Sequence, residues 1–77
     1  MAVMQKYKFI TIAAQEGKKI NDRPVYWVTN NSSGERLAIL YYYPSWRQFV
    51  AQFDPGSFFN NSCLTDITDF LTNHAGQ

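Results

Sequence analysis

Four stretches of this chain read as β-strands that are apolar on both sides, and only one stretch has the periodicity of a helix. That mismatch constrains the fold more than any other feature. KYKFITIAA (6–14), VYWVTN (25–30), RLAILYYY (36–43) and WRQFVAQF (46–53) are rich in β-branched and aromatic residues. Side chains alternate across a strand. Leu37, Ile39, Tyr41 and Tyr43 therefore oppose Ala38, Leu40 and Tyr42, and Val25 and Trp27 oppose Tyr26 and Val28. Phe49 and Phe53 oppose Trp46, Gln48, Val50 and Gln52. An antiparallel sheet with one wet face normally alternates apolar with polar. One helix covers one face, so the other face or an edge requires an occupant: a second copy, another protein or a nucleic acid.

The segments between the strands carry turn chemistry. QEGKKINDRP (15–24) is polar, with Gly17 and Pro24, and reads as a loop. NSSGE (31–35) is a turn in which Gly34 takes a positive φ. Pro44–Ser45 turns the chain before Trp46, and Asp54–Pro55–Gly56 forms a type I or II turn. Ser57–Phe59 is a fifth short strand or an extended approach to the helix. Ser62 is the expected N-cap. Leu64, Ile67, Phe70 and Leu71 give one apolar stripe, Asp66 lies in the first helical turns, and Gly76 is the expected terminator. The expected fold is α+β: one domain over 1–77, an antiparallel β-meander of four or five strands with one C-terminal helix packed on one face.

Eight of the 13 aromatic residues lie between Tyr41 and Phe59. A chain of 77 residues has a thin core, and each buried ring removes about 150–250 Å² from water. Rings are therefore efficient filling first and contacts second. Phe49 and Phe53 are expected under the helix, with Phe58 and Phe59 closing the core at the helix entrance. Trp46, Gln48, Val50 and Gln52 form the outer side of their strand, and Tyr42 or its neighbours extend that surface.

Charge excludes little. The net value is +1, so no global field draws the chain to nucleic acid or membrane. Residues 1–36 hold six basic and three acidic groups, and residues 37–77 hold one and three. The single cysteine, Cys63, permits no internal disulfide and suits a reducing compartment. No run approaches a membrane span, and the first residues do not resemble a signal peptide, so a cytoplasmic protein of a bacterial host is expected.

No catalytic set, metal site or cofactor site emerges. His74, the only histidine, sits at the helix end, where a cation suits the dipole. Cys63 at a helix start is reactive or buried, and its neighbours favour burial. Asp54, Asp66 and Asp69 lack the ligand density of a cation loop. Trp46–Arg47 pairs the residue types that dominate binding hot spots. Arg47 is the only base after position 36 and has Asp54 or the rings of Tyr42 and Tyr43 within sequence reach. Tyr41–Tyr42–Tyr43 places rings on both faces and raises a nucleic-acid stacking platform as an alternative, though its basic groove is poor.

VYWVTNNSSGERLAILYYYPSWRQFV followed by SFFNNSCLTDITDFL, about residues 24–71, resembles a family of small phage and prophage accessory proteins. The resemblance lies in the Tyr-rich strand, the YPSWRQF turn-and-strand and the CLTDITDFL helix start. It implies a non-enzymatic protein that binds a host protein, as an inhibitor of a defence or replication component. The expected partner-binding residues are Tyr42, Tyr43, Trp46, Arg47 and Gln48, with self-association as a homodimer. Single-stranded nucleic acid is the alternative partner, and no membrane contact is expected.

Overall fold

The computed structural model describes residues 4–75. It consists of one antiparallel sheet in strict sequence order followed by one helix: β1 (Met4–Lys6), β2 (Ile10–Ile20), β3 (Arg23–Asn30), β4 (Arg36–Tyr43), β5 (Gln48–Phe53) and α1 (Asn61–Asn73). The expected meander with a helix on one face is the observed architecture. The fifth strand comes from the N-terminus, and Ser57–Phe59 is an approach segment without strand pairing.

The expected first strand, 6–14, divides in two. Tyr7 N–H bonds to the Ile10 carbonyl at 2.8 Å, and the chain folds back on itself so that Lys6 pairs with Thr11. Asn31 secures this turn, donating from Nδ2 to the Tyr7 carbonyl and from its backbone N–H to the Phe9 carbonyl, both at 2.9 Å.

The expected loop 15–24 is instead the end of β2 and a tight hairpin. Asn21 and Asp22 both take positive φ, 55° and 64°, which is the type I′ turn that matches strand twist. Asn21 Nδ2 also donates to the Tyr42 carbonyl at 2.9 Å, tying the turn to β4. Ahead of it the ladder jumps from Ala14–Tyr26 to Lys19–Pro24. The intervening residues form a bulge around Gly17, whose φ of 76° suits a residue without Cβ. Polarity alone suggested a loop because these bulged residues face solvent.

The other turns follow their sequences. Gly34 and Gly56 take φ of 75° and 80°. The Ser57 N–H bonds to the Asp54 carbonyl, so Asp54–Ser57 is a type II turn with Pro55 and Gly56 at its centre. β5 begins at Gln48, two residues later than expected, because Pro44–Arg47 forms a hairpin loop with Trp46 N–H on the Tyr43 carbonyl and Arg47 N–H on the Pro44 carbonyl.

The core lies between the sheet and α1. Ile10, Ile12, Tyr26, Val28, Ala38 and Leu40 face the helix residues Cys63, Ile67 and Phe70. Leu37 joins them because a bulge between Val28 and Thr29 breaks the alternation of β4 at its start. Phe70 meets Tyr26 edge-on at 4.9 Å between ring centroids, and Tyr26 meets Phe49 at 6.0 Å. Edge-to-face pairs add about 0.5–1.5 kcal/mol each beyond area burial.

The helix starts earlier than expected. Asn60, not Ser62, is the N-cap, and its Oδ1 accepts the Cys63 N–H at 2.8 Å. The buried stripe is Cys63, Ile67 and Phe70, with Leu71 half-buried, and Leu64 is 42% exposed. Asp66 lies beyond the first turn, which holds no acidic residue. At the other end His74 is the C-cap, and its N–H bonds to the Phe70 carbonyl at 2.8 Å. The expected terminator Gly76 lies outside the described residues. Among the described residues no helix is long and apolar enough to cross a membrane.

Candidate interaction surface

The sheet face away from α1 is where the unspent rings collect. Register sets its rows: Ala13, Trp27, Ile39 and Gln52 stand side by side, as do Tyr41 and Val50, and then Tyr43 and Gln48. Trp46 folds back from the hairpin loop, and its ring meets Tyr43 at 5.3 Å with planes 82° apart. Trp46 remains 66% exposed. Tyr41, Tyr43, Trp46, Val50, Ala51 and Gln52 line an open cleft of about 340 Å³. The Tyr41 hydroxyl donates to Gln52 Oε1 at 3.2 Å, so the cleft has one polar wall.

A second concavity lies nearer β2. The bulge curls over the sheet and shelters Val25, which is buried on this face although the helix lies on the other. Trp27 forms its floor. Lys18 Nζ sits 4.8 Å from the Trp27 ring centroid and the Arg36 guanidinium 5.1 Å from it. Arg36 also holds Asp54 in a bidentate pair at 2.8 and 3.2 Å. That pair satisfies the carboxylate considered above as a partner for Arg47.

Among the expected contact residues, Tyr43, Trp46 and Gln48 lie on this face, and Arg47 is exposed beside them. Tyr42 does not. Its parity turns it to the helix side, where its ring packs edge-on to Phe49 at 5.5 Å and carries the Arg23 guanidinium at 4.6 Å. Phe49 is packed against the core, as expected, whereas Phe53 lies at its margin, 47% exposed and packed at a tilt against Phe59, 4.5 Å between ring centroids. Phe59 contributes to the core and Phe58 projects outward, 91% exposed. Trp27, Tyr41, Lys18 and Arg36 belong to the face and were not among the expected partner-binding residues, Tyr41 having been read only as part of a stacking platform. Strand parity alone links Trp27, Ile39, Tyr41 and Tyr43, but the bulge that brings Lys18 over Trp27 has no such signature.

Arg47 has φ of 54°. Every other described residue with positive φ is Asn, Asp or Gly, the types that tolerate it. A left-handed conformation costs another L-residue about 1–2 kcal/mol. Arg47→Gly relieves that strain and loosens the unfolded chain, so a net stabilisation of about 0.5–1 kcal/mol is expected. Denaturant midpoints of the two proteins check it. A long basic side chain held at a local cost to the backbone suits a contact role better than a structural one.

A separate polar cluster ties the N-terminal turn to the helix. Tyr7 Oη donates to Asp69 Oδ2 at 2.8 Å, which joins the β1–β2 turn to the helix. Burial, and then the Asp69 carboxylate, push the Tyr7 phenol well above its usual range. The Tyr7 and Asn73 hydrogen bonds hold the Asp69 carboxyl below its usual range. No group of three His, Cys, Asp or Glu among the described residues converges on a metal-sized space. Cys63 is buried in the core. A thiol reagent should therefore modify the native protein far more slowly than the denatured one, and equal rates would put Cys63 at the surface. No protein-family model matches the chain, and no curated protein or solved structure matches it.

Proposed function

We propose that this chain is a non-enzymatic accessory protein of the phage type that acts by binding a host protein on the helix-free face of its sheet. The observation that carries the reading is the exposed corner of Tyr43 and Trp46 beside the strained Arg47. Trp, Tyr and Arg supply most of the energy in protein interfaces. The surroundings favour a partner with an apolar projection and a carboxylate. Lys18 and Arg47 border the face with no ion pair to any described residue, whereas Arg36 and Asp54 already neutralise each other. Binding there would inhibit a host defence or replication component by covering its own contact surface. The test is affinity capture from bacterial lysate with the unaltered chain beside a Trp46→Ala/Arg47→Ala variant. A stoichiometric protein retained by the first and lost by the second supports the reading. Equal retention refutes it.

A second reading, a binder of single-stranded nucleic acid, draws on Lys18, Lys19 and Arg36 around Trp27. Against it, Lys18 and Arg36 sit over the ring that a base would need. A phosphate-driven complex weakens steeply with salt. Oligonucleotide binding at low salt that collapses at higher salt favours this reading, and absence of binding at low salt removes it.

A further inference from the structure

The outer edge of the sheet is β5, and it lacks the devices that keep an edge from pairing. Its sequence, QFVAQF, contains neither charge nor proline, and it runs alongside β4 without a bulge. Open edges are normally blunted by shortness, Lys, Pro or a bulge. The opposite edge, β1, is three residues long and carries Lys6. The Asp54 N–H bonds to the Leu37 carbonyl, which sets the phase of the β4–β5 ladder. Alternation then makes Ile39–Gln52 and Tyr41–Val50 hydrogen-bonded pairs. The N–H and C=O groups of Phe49, Ala51 and Phe53 point the other way, into the open edge.

We propose that β5 pairs antiparallel with β5 of a second copy about a two-fold axis at Val50, so that two copies share one continuous sheet. Because side chains alternate with a period of two, such an axis must pass through a residue, or the faces of the two copies would be mismatched. Val50 is the centre that the side chains fit. It places Gln48 opposite Gln52 of the second copy, amide against amide, on the helix-free face. It places Phe49 opposite Ala51 of the second copy, large against small, on the helix side. An axis at Ala51 would instead press Phe49 against Phe53 of the second copy, a ring already packed against Phe59. It would also set Gln48 against Asp54, whose carboxylate Arg36 holds.

The axis at Val50 also completes the cleft. The row Tyr41–Val50 continues into Val50 and Tyr41 of the second copy, so the side of the cleft open beyond β5 acquires a wall. The interface is isologous, as closed dimers require. It stands whatever protein the aromatic face binds.

The test uses Val50→Cys and Ala51→Cys, each in a Cys63→Ala background, under mild oxidation. Facing residues at a non-hydrogen-bonded antiparallel pair have Cα atoms about 4.5 Å apart, within the disulfide range of about 4.4–6.8 Å. Val50→Cys should convert mostly to covalent dimer and Ala51→Cys should not. The reverse pattern, or no cross-link in either, overturns the proposed axis. Sedimentation of the unaltered chain gives the independent measurement. Dimer mass in the micromolar range is expected, and monomer throughout overturns the proposal. Ala51→Pro removes an N–H that faces only the open edge, where proline is tolerated. It should keep the circular dichroism of the fold and sediment as monomer. A folded Ala51→Pro protein that remains a dimer places the contact elsewhere and also overturns the proposal.

Discussion

Phe70→Ala should destabilise the protein by about 3–5 kcal/mol, read as a fall in the midpoint of a two-state denaturant curve. Phe70 has no exposed surface and sits edge-on to Tyr26, itself fully buried at the centre of the sheet. Removing the ring deletes its transfer energy and leaves a void that sheet and helix cannot both collapse into. A domain of this size has only about 5–15 kcal/mol in all, so the variant should be partly unfolded near body temperature. Leu64→Ala, one residue past the buried stripe, is the control. With 42% of its surface exposed it should cost under about 1 kcal/mol. Similar losses from both variants would mean that the helix is rotated from the orientation described.

The Trp46→Ala/Arg47→Ala variant should behave in the opposite way. Trp46 is 66% exposed with its ring against Tyr43, and Arg47 forms no ion pair with any described residue. Their removal should change stability by less than about 1 kcal/mol, since alanine at position 47 keeps the same left-handed backbone conformation. Partner capture should nevertheless fall by 100-fold or more, since two hot-spot residues at about 2 kcal/mol or above each suffice for that. Near-native melting with loss of capture is the expected pair of results. A variant that unfolds would assign Trp46 to the core, and a folded variant that still captures its partner would move the contact to Trp27 and the Lys18–Arg36 side of the face.

The strands and their parity were legible because period-two patterning and turn residues are local signals. Counting alone paired Tyr26 with Val28, Ala38 with Leu40 and Phe49 with Phe53 on their own strands, and the structure packs Tyr26, Val28, Ala38, Leu40 and Phe49 against the helix. Gly34 and the Asp54–Pro55–Gly56 turn could be read the same way. Three features could not. The bulge at Gln15–Lys18 joins charged residues and a glycine to a strand, and only pairing with β3 distinguishes that from a loop. The helix start was read at Ser62 although Asn60 caps it, and the apolar stripe was drawn through Leu64 because leucine is the more apolar residue, whereas the buried side runs through its neighbour Cys63. Tyr42 was grouped with its neighbours because YYY is conspicuous as a unit, yet a strand divides it, with Tyr42 going to Phe49 and Tyr41 and Tyr43 going to the free face. Of the candidate surface, the Tyr43–Trp46–Arg47–Gln48 corner was therefore visible, and its continuation through Trp27 to the bulge was not.

The strict order of the meander has a consequence for synthesis. Each strand pairs with the one made just before it, so the sheet can grow by successive hairpins as the chain emerges, each closing only a short loop. The lid over its apolar side is made last, because α1 follows all five strands. At roughly 5–20 residues per second, the 13 residues of the helix take on the order of a second to appear. Through that interval Ile12, Val28 and Leu40 stand uncovered beside an unblunted edge strand. The nascent chain is thus most prone to wrong association just before the helix forms, and Asn60, which starts the helix, is the residue at which that exposure begins to end.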